Sequence, residues 1–287
     1  MVSYYLKKVW KTQTKTQISM IAAHRNISNA FKKLYNETPE KLKSYQNLKA
    51  RTPEWGNQRS FRIASTVVRK AYSYNYMPSG IINIEYSSRD IGIYVENTIT
   101  KFLSKYIENT GLFVHHTYQW LCATPDGFHS TMKIPIEIKY NKSRRMLRKI
   151  IAKNYHQLQF QMFCTYKNKI LLIVYDGDIK TVIIKRDNHF INRCLFRLRN
   201  SIIKIMEIYD HKCKLPCKFV TDLIKLPAQA VQQASSIVKR NYDYKEVKLR
   251  YVFRGLSLED ENNLLVKLRY STNAYERKAA LNIQNHL

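Results

Sequence analysis

The sequence predicts an α/β fold, with helices and strands alternating through its middle and helical additions at both ends. Three observations lead there. From Ile134 to Tyr140 the pattern alternates, placing Ile134, Ile136, Ile138 and Tyr140 on one face and Glu137 with Lys139 on the other, the period of a strand half buried against a core. Ile91, Val95, Ile99, Phe102, Leu103 and Tyr106 recur at three- and four-residue spacing, the stripe of an amphipathic helix. Two strand-like runs, Lys169–Tyr175 and Lys180–Lys185, are joined through Asp176-Gly177, a strong hairpin signal.

Taken in order, residues 1–54 form a basic helical arm, broken at Thr38-Pro39 and Thr52-Pro53 because the residue before a proline avoids the helical region. The core, residues 55–210, is expected to run helix (Phe61–Tyr74), helix (Asp90–Ile107), strand (Leu112–Leu121), strand (Lys133–Tyr140) and helix (Arg144–Tyr166). The two hairpin strands follow, then a long amphipathic helix (Phe190–Tyr209). The extension 211–287 has one legible element, a helix from Ser257 to Tyr270 that opens with a Ser257/Asp260 capping box. A chain of 287 residues without a Gly/Ser/Pro-rich linker favours one domain over two.

Forty-nine Lys and Arg against twenty-one Asp and Glu give a formal charge of +28 and a pI near 9.9, the electrostatic footprint of a polyanion partner. Nucleic acid and an anionic membrane surface both fit that charge. No apolar run reaches the roughly eighteen residues of a membrane span, and the N-terminus MVSYYLKKVWKTQTKTQ is polar and basic, so the expectation is a soluble, intracellular protein that does not insert in membranes. Five scattered cysteines suit reduced thiols better than a disulfide framework. His211, Cys213 and Cys217 lack the second ligand pair of a zinc site. With seven glycines in all, there is no phosphate-cradling glycine loop.

The chemistry concentrates between Cys122 and Lys139. Thr124-Pro125-Asp126-Gly127 reads as a tight turn, and Glu137 and Lys139 share a strand face thirteen or fewer residues later. Two carboxylates converging on one point hold a hard divalent cation through oxygen, and a neighbouring ammonium orients or deprotonates the water it activates.

Pro125-Asp126, ten intervening residues and then Glu137-Ile138-Lys139 resemble the PD-(D/E)xK nuclease superfamily. Three further segments, in order, resemble its lambda-exonuclease branch, the YqaJ-type viral recombinases and alkaline nucleases: Trp55-Gly56-Asn57-Gln58-Arg59 with Ser65, Gly92 followed by Glu96, and Tyr155-His156-Gln157-Leu158-Gln159-Phe160-Gln161-Met162. The resemblance implies a mixed central β-sheet flanked by helices, a restriction-endonuclease-like core. It implies a Mg2+- or Mn2+-dependent DNA exonuclease working from 5′ toward 3′ on duplex ends. Asp126, Glu137 and the Ile138 carbonyl would ligate the cation, with Glu96 completing the site, Lys139 serving the attacking water and Gln157 organising the site. Arg59 and Ser65 would hold a phosphate, with Arg62 the rival for that role; Tyr155 and Gln159 would lie toward the nucleic acid. The family context adds a single-strand annealing protein as partner, a homo-oligomer or a monomer, and a host nucleus if the source is a nuclear-replicating DNA virus.

Alternatives stay open on the residues themselves. Glu96, beside a buried stripe, needs a partner, which an arginine supplies as well as a metal. Gln157 and Gln161 are four apart and share a helix face, whereas Gln159 points elsewhere. The run KSRRMLRKIIAK begins three residues after Lys139, so Lys142, Arg144, Arg145 and Arg148 stand as phosphate contacts, or as a solvated face or nuclear-import signal. The same site could serve an endonuclease on DNA or RNA, and the fold could serve a non-catalytic nucleic-acid-binding or annealing protein.

Overall fold

The computed structural model describes residues 37–60, 62–72, 87–142, 146–199 and 242–284. Its centre is a six-stranded sheet. In chain order its strands are β2 (Ile107–Glu108), β5 (Gly127–His129), β6 (Pro135–Tyr140), β7 (Lys169–Tyr175), β8 (Ile179–Lys185) and β9 (Tyr244–Val247), and they lie in the order β2-β5-β6-β7-β8-β9. Only β6 and β7 run parallel; the other neighbours are antiparallel. A smaller sheet orders β1 (Ile63–Ala64), β4 (Leu121–Ala123) and β3 (Phe113–Val114), with β1 parallel to β4. The fold is thus the expected mixed α/β sheet flanked by helices.

Both faces of the large sheet are covered, which is why β7 reads as an unbroken apolar run, Ile170 to Tyr175, every residue of it buried. Ile170, Leu172 and Val174 pack against the helix Leu147–Cys164 (α5) and a helix over 188–199 (α6). Leu171, Ile173, Ile136 and Ile138 pack on the other side against Ile91, Val95, Ile99 and Leu103 of the helix Ser87–Phe102 (α4), with Leu264 and Leu268 of the last helix, Leu258–Gln284 (α8). The alternation read in Ile134–Tyr140 therefore holds, and it sends Glu137 and Lys139 toward α5. A third cluster joins Leu42, Tyr45, Trp55, Leu112 and Cys122, seating two N-terminal helices, Pro39–Ser44 (α1) and Pro53–Ser60 (α2), on the small sheet.

Both prolines that interrupt the arm turn out to start helices: Pro39 opens α1 behind the Thr38 cap, whose hydroxyl accepts from Lys41 N at 3.3 Å, and Pro53 opens α2. The capping box is formed, Asp260 N donating to Ser257 Oγ at 3.0 Å and Ser257 N to Asp260 Oδ2 at 2.8 Å, and α8 runs on to Gln284, beyond the expected Tyr270. The β7–β8 hairpin turns at Gly177, whose φ of 99° suits a residue without Cβ.

Other boundaries differ for tertiary reasons. The helix expected over Phe61–Tyr74 is instead strand β1, a 3₁₀ turn (Ser65–Val67) and a short helix, Val68–Tyr72 (α3), because Ile63 and Ala64 pair with Leu121 and Cys122. The strand expected over Leu112–Leu121 is two strands separated by a turn without Gly or Pro: His115 Nδ1 accepts from Tyr118 N at 3.1 Å, and Leu121 N donates to Tyr118 O at 2.7 Å. Helix α4 stops at Phe102 so that Ile107 can enter β2, and α5 begins at Leu147, not Arg144. Strand β9 and a short helix, Leu249–Val252 (α7), had no legible signal. The rest of the Phe190–Tyr209 helix, with His211, Cys213 and Cys217, lies outside the described residues. Cys122, Cys164 and Cys194 are free and buried.

Gly111 is where the N-terminal helices lock on. Its N–H donates to Gln46 O at 2.8 Å, Leu112 N donates to Tyr45 O at 2.9 Å, and a Cβ at residue 111 would lie 2.7 Å from Tyr45 O and 2.8 Å from Leu48 N. All these neighbours are backbone and cannot rotate away. Gly111→Ala is therefore expected to destabilise by about 2 kcal/mol or more, whereas Gly56→Ala in α2, with nothing within 4 Å, should be stabilising by roughly 0.5–1 kcal/mol. Thermal melts of the two variants check the opposite signs.

Candidate active site

The site grows from the backbone of β6. Asn141 N donates to Tyr175 O at 2.9 Å, and successive residues of a strand point their peptide groups to opposite edges, so Ile136 and Ile138 face β5. Ile136 O accepts from Asp126 N at 3.0 Å, and β5 pairing starts at Gly127 opposite Ile136. Beyond that point the Ile138 N–H meets no strand and donates instead to Asp126 Oδ2 at 2.6 Å. The Ile138 carbonyl points to the same open edge. Asp126 Oδ1 accepts no protein hydrogen bond among the described residues.

Glu137, 1 % exposed, faces α5. Its carboxylate accepts from Lys139 Nζ, Gln157 Nε2 and Gln161 Nε2, so a buried charge is met by an ammonium and two amides. Gln157 and Gln161 stand one turn apart on α5 and reach the same carboxylate from one helix face. Lys139 is a quarter exposed, its side chain at 27 %, and links the buried acid to the open edge.

Glu96 approaches from the other layer. Val95 and Ile99 anchor α4 on the sheet, which turns Glu96 to the margin of the stripe, where Arg51 Nη2 lies 3.1 Å from Oε2 and 3.3 Å from Oε1. The partner that Glu96 needs is, in this state, an arginine. Arg51 holds a left-handed backbone, φ 69°.

Electrostatics tie the four groups together. Burial, and then the charges of Glu137 and Glu96, raise the Asp126 carboxyl well above the usual range, against the pull of Lys139. Burial raises Glu96 too; Arg51 opposes this and Glu137 adds to it. Burial alone would lower Lys139, but Glu137 and Asp126 outweigh it and raise the amine. Three carboxylates with two cations leave the cluster short of positive charge. No group of three His, Cys, Asp or Glu gathers tightly enough to cage an ion among the described residues. The donors suit a cation that keeps much of its water and takes one or two carboxylates with a carbonyl, as Mg2+ does: Asp126 Oδ1, the Ile138 carbonyl and Glu137, with Glu96 at the margin.

Helix α2 walls the Asp126 turn. Trp55 Nε1–H donates to Thr124 Oγ1 at 3.0 Å, two residues before Asp126. The Arg59 guanidinium lies 4.8 Å from the Trp55 ring centre and donates to Thr66 Oγ1 at 2.6 Å. The neighbouring Ser65 is 2 % exposed, with an Oγ that has no hydrogen-bond partner among the described residues. Arg59 therefore packs beside the turn that leads to Asp126, whereas Ser65, as buried as Tyr155, is not placed to meet a phosphate.

Other expected contacts are corrected. Arg62 is 1 % exposed: its Nε donates to Gln119 O at 2.8 Å, its Nη2 to Glu37 Oε2 at 2.7 Å, and its guanidinium covers the Tyr45 ring. It ties α1 to the small sheet and is not placed to grip a phosphate. Tyr155 is 2 % exposed, packed on Phe190 and Tyr242 with its hydroxyl bonded to Asp187 at 3.2 Å. Gln159 is fully buried and clasps β8, donating to Lys185 O and accepting from Asp187 N. Neither Tyr155 nor Gln159 can meet a ligand. Lys142 and Arg148 are exposed; Arg144 and Arg145 lie outside the described residues. Sequence reasoning missed Gln161, whose spacing from Gln157 was visible, and Arg51, a turn residue with no motif to mark it.

No family model and no curated protein matches the chain. Solved structures similar to it include an alkaline exonuclease (LHK-Exo) from Laribacter hongkongensis, 18 % identical at a TM-score of 0.47, covering 60 % of this chain and 100 % of that one. LHK-Exo in complex with dAMP is 19 % identical at a TM-score of 0.47, covering 56 % and 95 %. Among the described residues no helix is long and apolar enough to cross a membrane.

A carboxyl whose folded pKa lies above its unfolded one keeps its proton more tightly when folded, so its contribution to stability is present at low pH and lost as pH rises through the raised value. In chelator, Asp126→Asn is therefore expected to melt above the unmodified protein at neutral pH, the gap closing as pH falls below the ordinary aspartate range. Equal melting differences at every pH would show that Asp126 carries no such burden.

Proposed function

We propose that the protein is a divalent-cation-dependent nuclease acting on DNA, an exonuclease that enters duplex ends and proceeds from 5′ toward 3′. The observation that carries the reading is that Asp126, Glu137, Lys139 and Glu96, from three separate segments, meet where the β6 backbone leaves its partner strand. Nothing in folding alone favours gathering like charges there. The formal charge of +28 supports a polyanionic substrate.

Magnesium or manganese, when bound, supplies Lewis acidity to water and phosphate; Asp126, Glu137 and the Ile138 carbonyl would hold it, with Glu96 alongside. The chain's own residues do the rest. Lys139 Nζ, kept protonated by its carboxylate neighbours, orients the attacking water and offers positive charge as the phosphate oxygens gain negative charge. Gln157 and Gln161 fix the Glu137 carboxylate so that it does not rotate when Lys139 turns to substrate. Arg59 holds a terminal phosphate, the guanidinium meeting two of its oxygens. In this reading the companion is a single-strand annealing protein, in recombination or genome processing.

Asp126→Asn or Glu137→Gln is expected to remove cleavage with DNA binding retained, and Lys139→Ala to lower turnover about a hundredfold or more. Wild-type turnover by either carboxamide variant in magnesium defeats the assignment. End-labelled duplex, closed circular DNA and RNA, each with and without magnesium, separate exonuclease from endonuclease and DNA from RNA.

End choice is tested separately. Linear duplex with a 5′ phosphate should be degraded faster than the same duplex with a 5′ hydroxyl, and Arg59→Ala should erase the difference. Equal rates on phosphorylated, hydroxylated and circular DNA by the unmodified protein would exclude end recognition.

A further inference from the structure

Beyond the carboxylate cluster, β6 and β7 run parallel and side by side from Ile136↔Leu171 to Tyr140↔Tyr175, and their carboxyl ends open into a cavity of about 350 Å3. The crevice outside the carboxyl ends of parallel strands is where open α/β sheets characteristically bind ligands, and the volume lies at the small end of ligand sites. Asn141 and Lys142, just after β6, Asp176 and Gly177, just after β7, and Arg269 and Asn273 of α8 line it.

The cavity's chemistry is cationic and amide-rich. Asp176 is 4 % exposed and its carboxylate is matched by Lys180 Nζ at 2.7 Å, and Lys142 and Arg269 are exposed. Arg269 Nε–H donates to Gly177 O at 3.1 Å, which fixes the guanidinium plane; its two Nη groups have no protein partner among the described residues. A guanidinium held through Nε and open at both Nη is a bidentate phosphate donor. Asn273, exposed on α8, adds an amide able to meet a base or sugar edge. The stacked rings of Tyr140 and Tyr175, centroids 6.1 Å apart, form one wall.

We infer that this cavity binds a nucleotide unit, its phosphate on Arg269 and Lys142, as a subsite for the strand whose scissile phosphate lies at Lys139. The inference rests on the nuclease reading. Lys142 is three residues from Lys139 on one chain segment, a span of about 10 Å, or about three nucleotide rises along one strand of a duplex. A polynucleotide held at Lys139 therefore passes the cavity within a few nucleotides.

Anisotropy of a labelled oligonucleotide, measured in chelator so that nothing is cut, tests it. Arg269→Ala and Lys142→Ala should each weaken binding by about tenfold and reduce the salt dependence by about one phosphate contact. With magnesium, KM should rise while kcat at saturating DNA is kept. Thymidine 5′-monophosphate is added as competitor. Displacement of the oligonucleotide by it, lost in Arg269→Ala, identifies a free nucleotide as an occupant; no displacement with the affinity loss intact confines the cavity to the strand. If the unmodified protein binds and cleaves DNA, but both variants bind with unchanged affinity and salt slope, the subsite is refuted while the nuclease reading stands. An unmodified protein that neither binds nor cleaves nucleic acid defeats both.

Discussion

A carboxylate at 1 % exposure on a central strand is the constraint from which the rest of the site follows. Glu137 cannot be left bare in that environment, and the fold surrounds it with Lys139 from its own strand and Gln157 and Gln161 from the helix above. That arrangement fixes the rotation of α5, since both glutamines must face down. It also fixes the register of β6, because a slip by one residue would drive Glu137 and Lys139 into the apolar layer of Ile91, Val95 and Ile99. That register starts β5 at Gly127, opposite Ile136, and so leaves the Ile138 peptide to Asp126.

Arg51 and Lys139 play corresponding parts on the two sides of the sheet. Each cation lies against a carboxylate, though Glu96 is 28 % exposed at its side chain and Glu137 only 2 %. The pair at Glu96 is thus the looser of the two, being more solvated. A ligand arriving at the site meets one carboxylate it can recruit and one already held in place.

Much of this was legible in the chain because it rests on local periodicity. The two-residue alternation of Ile134–Tyr140 fixed which side chains share a face, and the three-to-four spacing from Ile91 to Leu103 gave the helix that carries Glu96. What escaped depends on contacts distant in sequence. Nothing near Ile63 announces that Leu121 will pair with it, so a β-bridge read as helix. Arg62 and Arg59 look alike in the sequence; only the burial of Glu37 and Gln119 around one of them makes it a girder. Tyr155 and Gln159 turn to faces of α5 that meet Phe190 and β8, because neighbouring positions of a helix project in different directions. The β3–β4 reversal is made by a histidine side chain standing in for turn residues, a device that composition does not reveal.

Helix α8 packs on α4 and shares with it the face of the sheet that Leu171 and Ile173 present. The layer that carries Glu96 is therefore completed by a slice from residues 258–284. During synthesis the strands bearing Asp126 and Glu137 emerge and can pair while that slice is still missing. Contacts so distant in sequence close late, so the nascent protein passes through an interval in which its carboxylates and lysine are assembled but the helix opposite them is seated on one side only. The carboxylate cluster would then take its final geometry only when residues 258–284 dock, a form of timing written into connectivity alone.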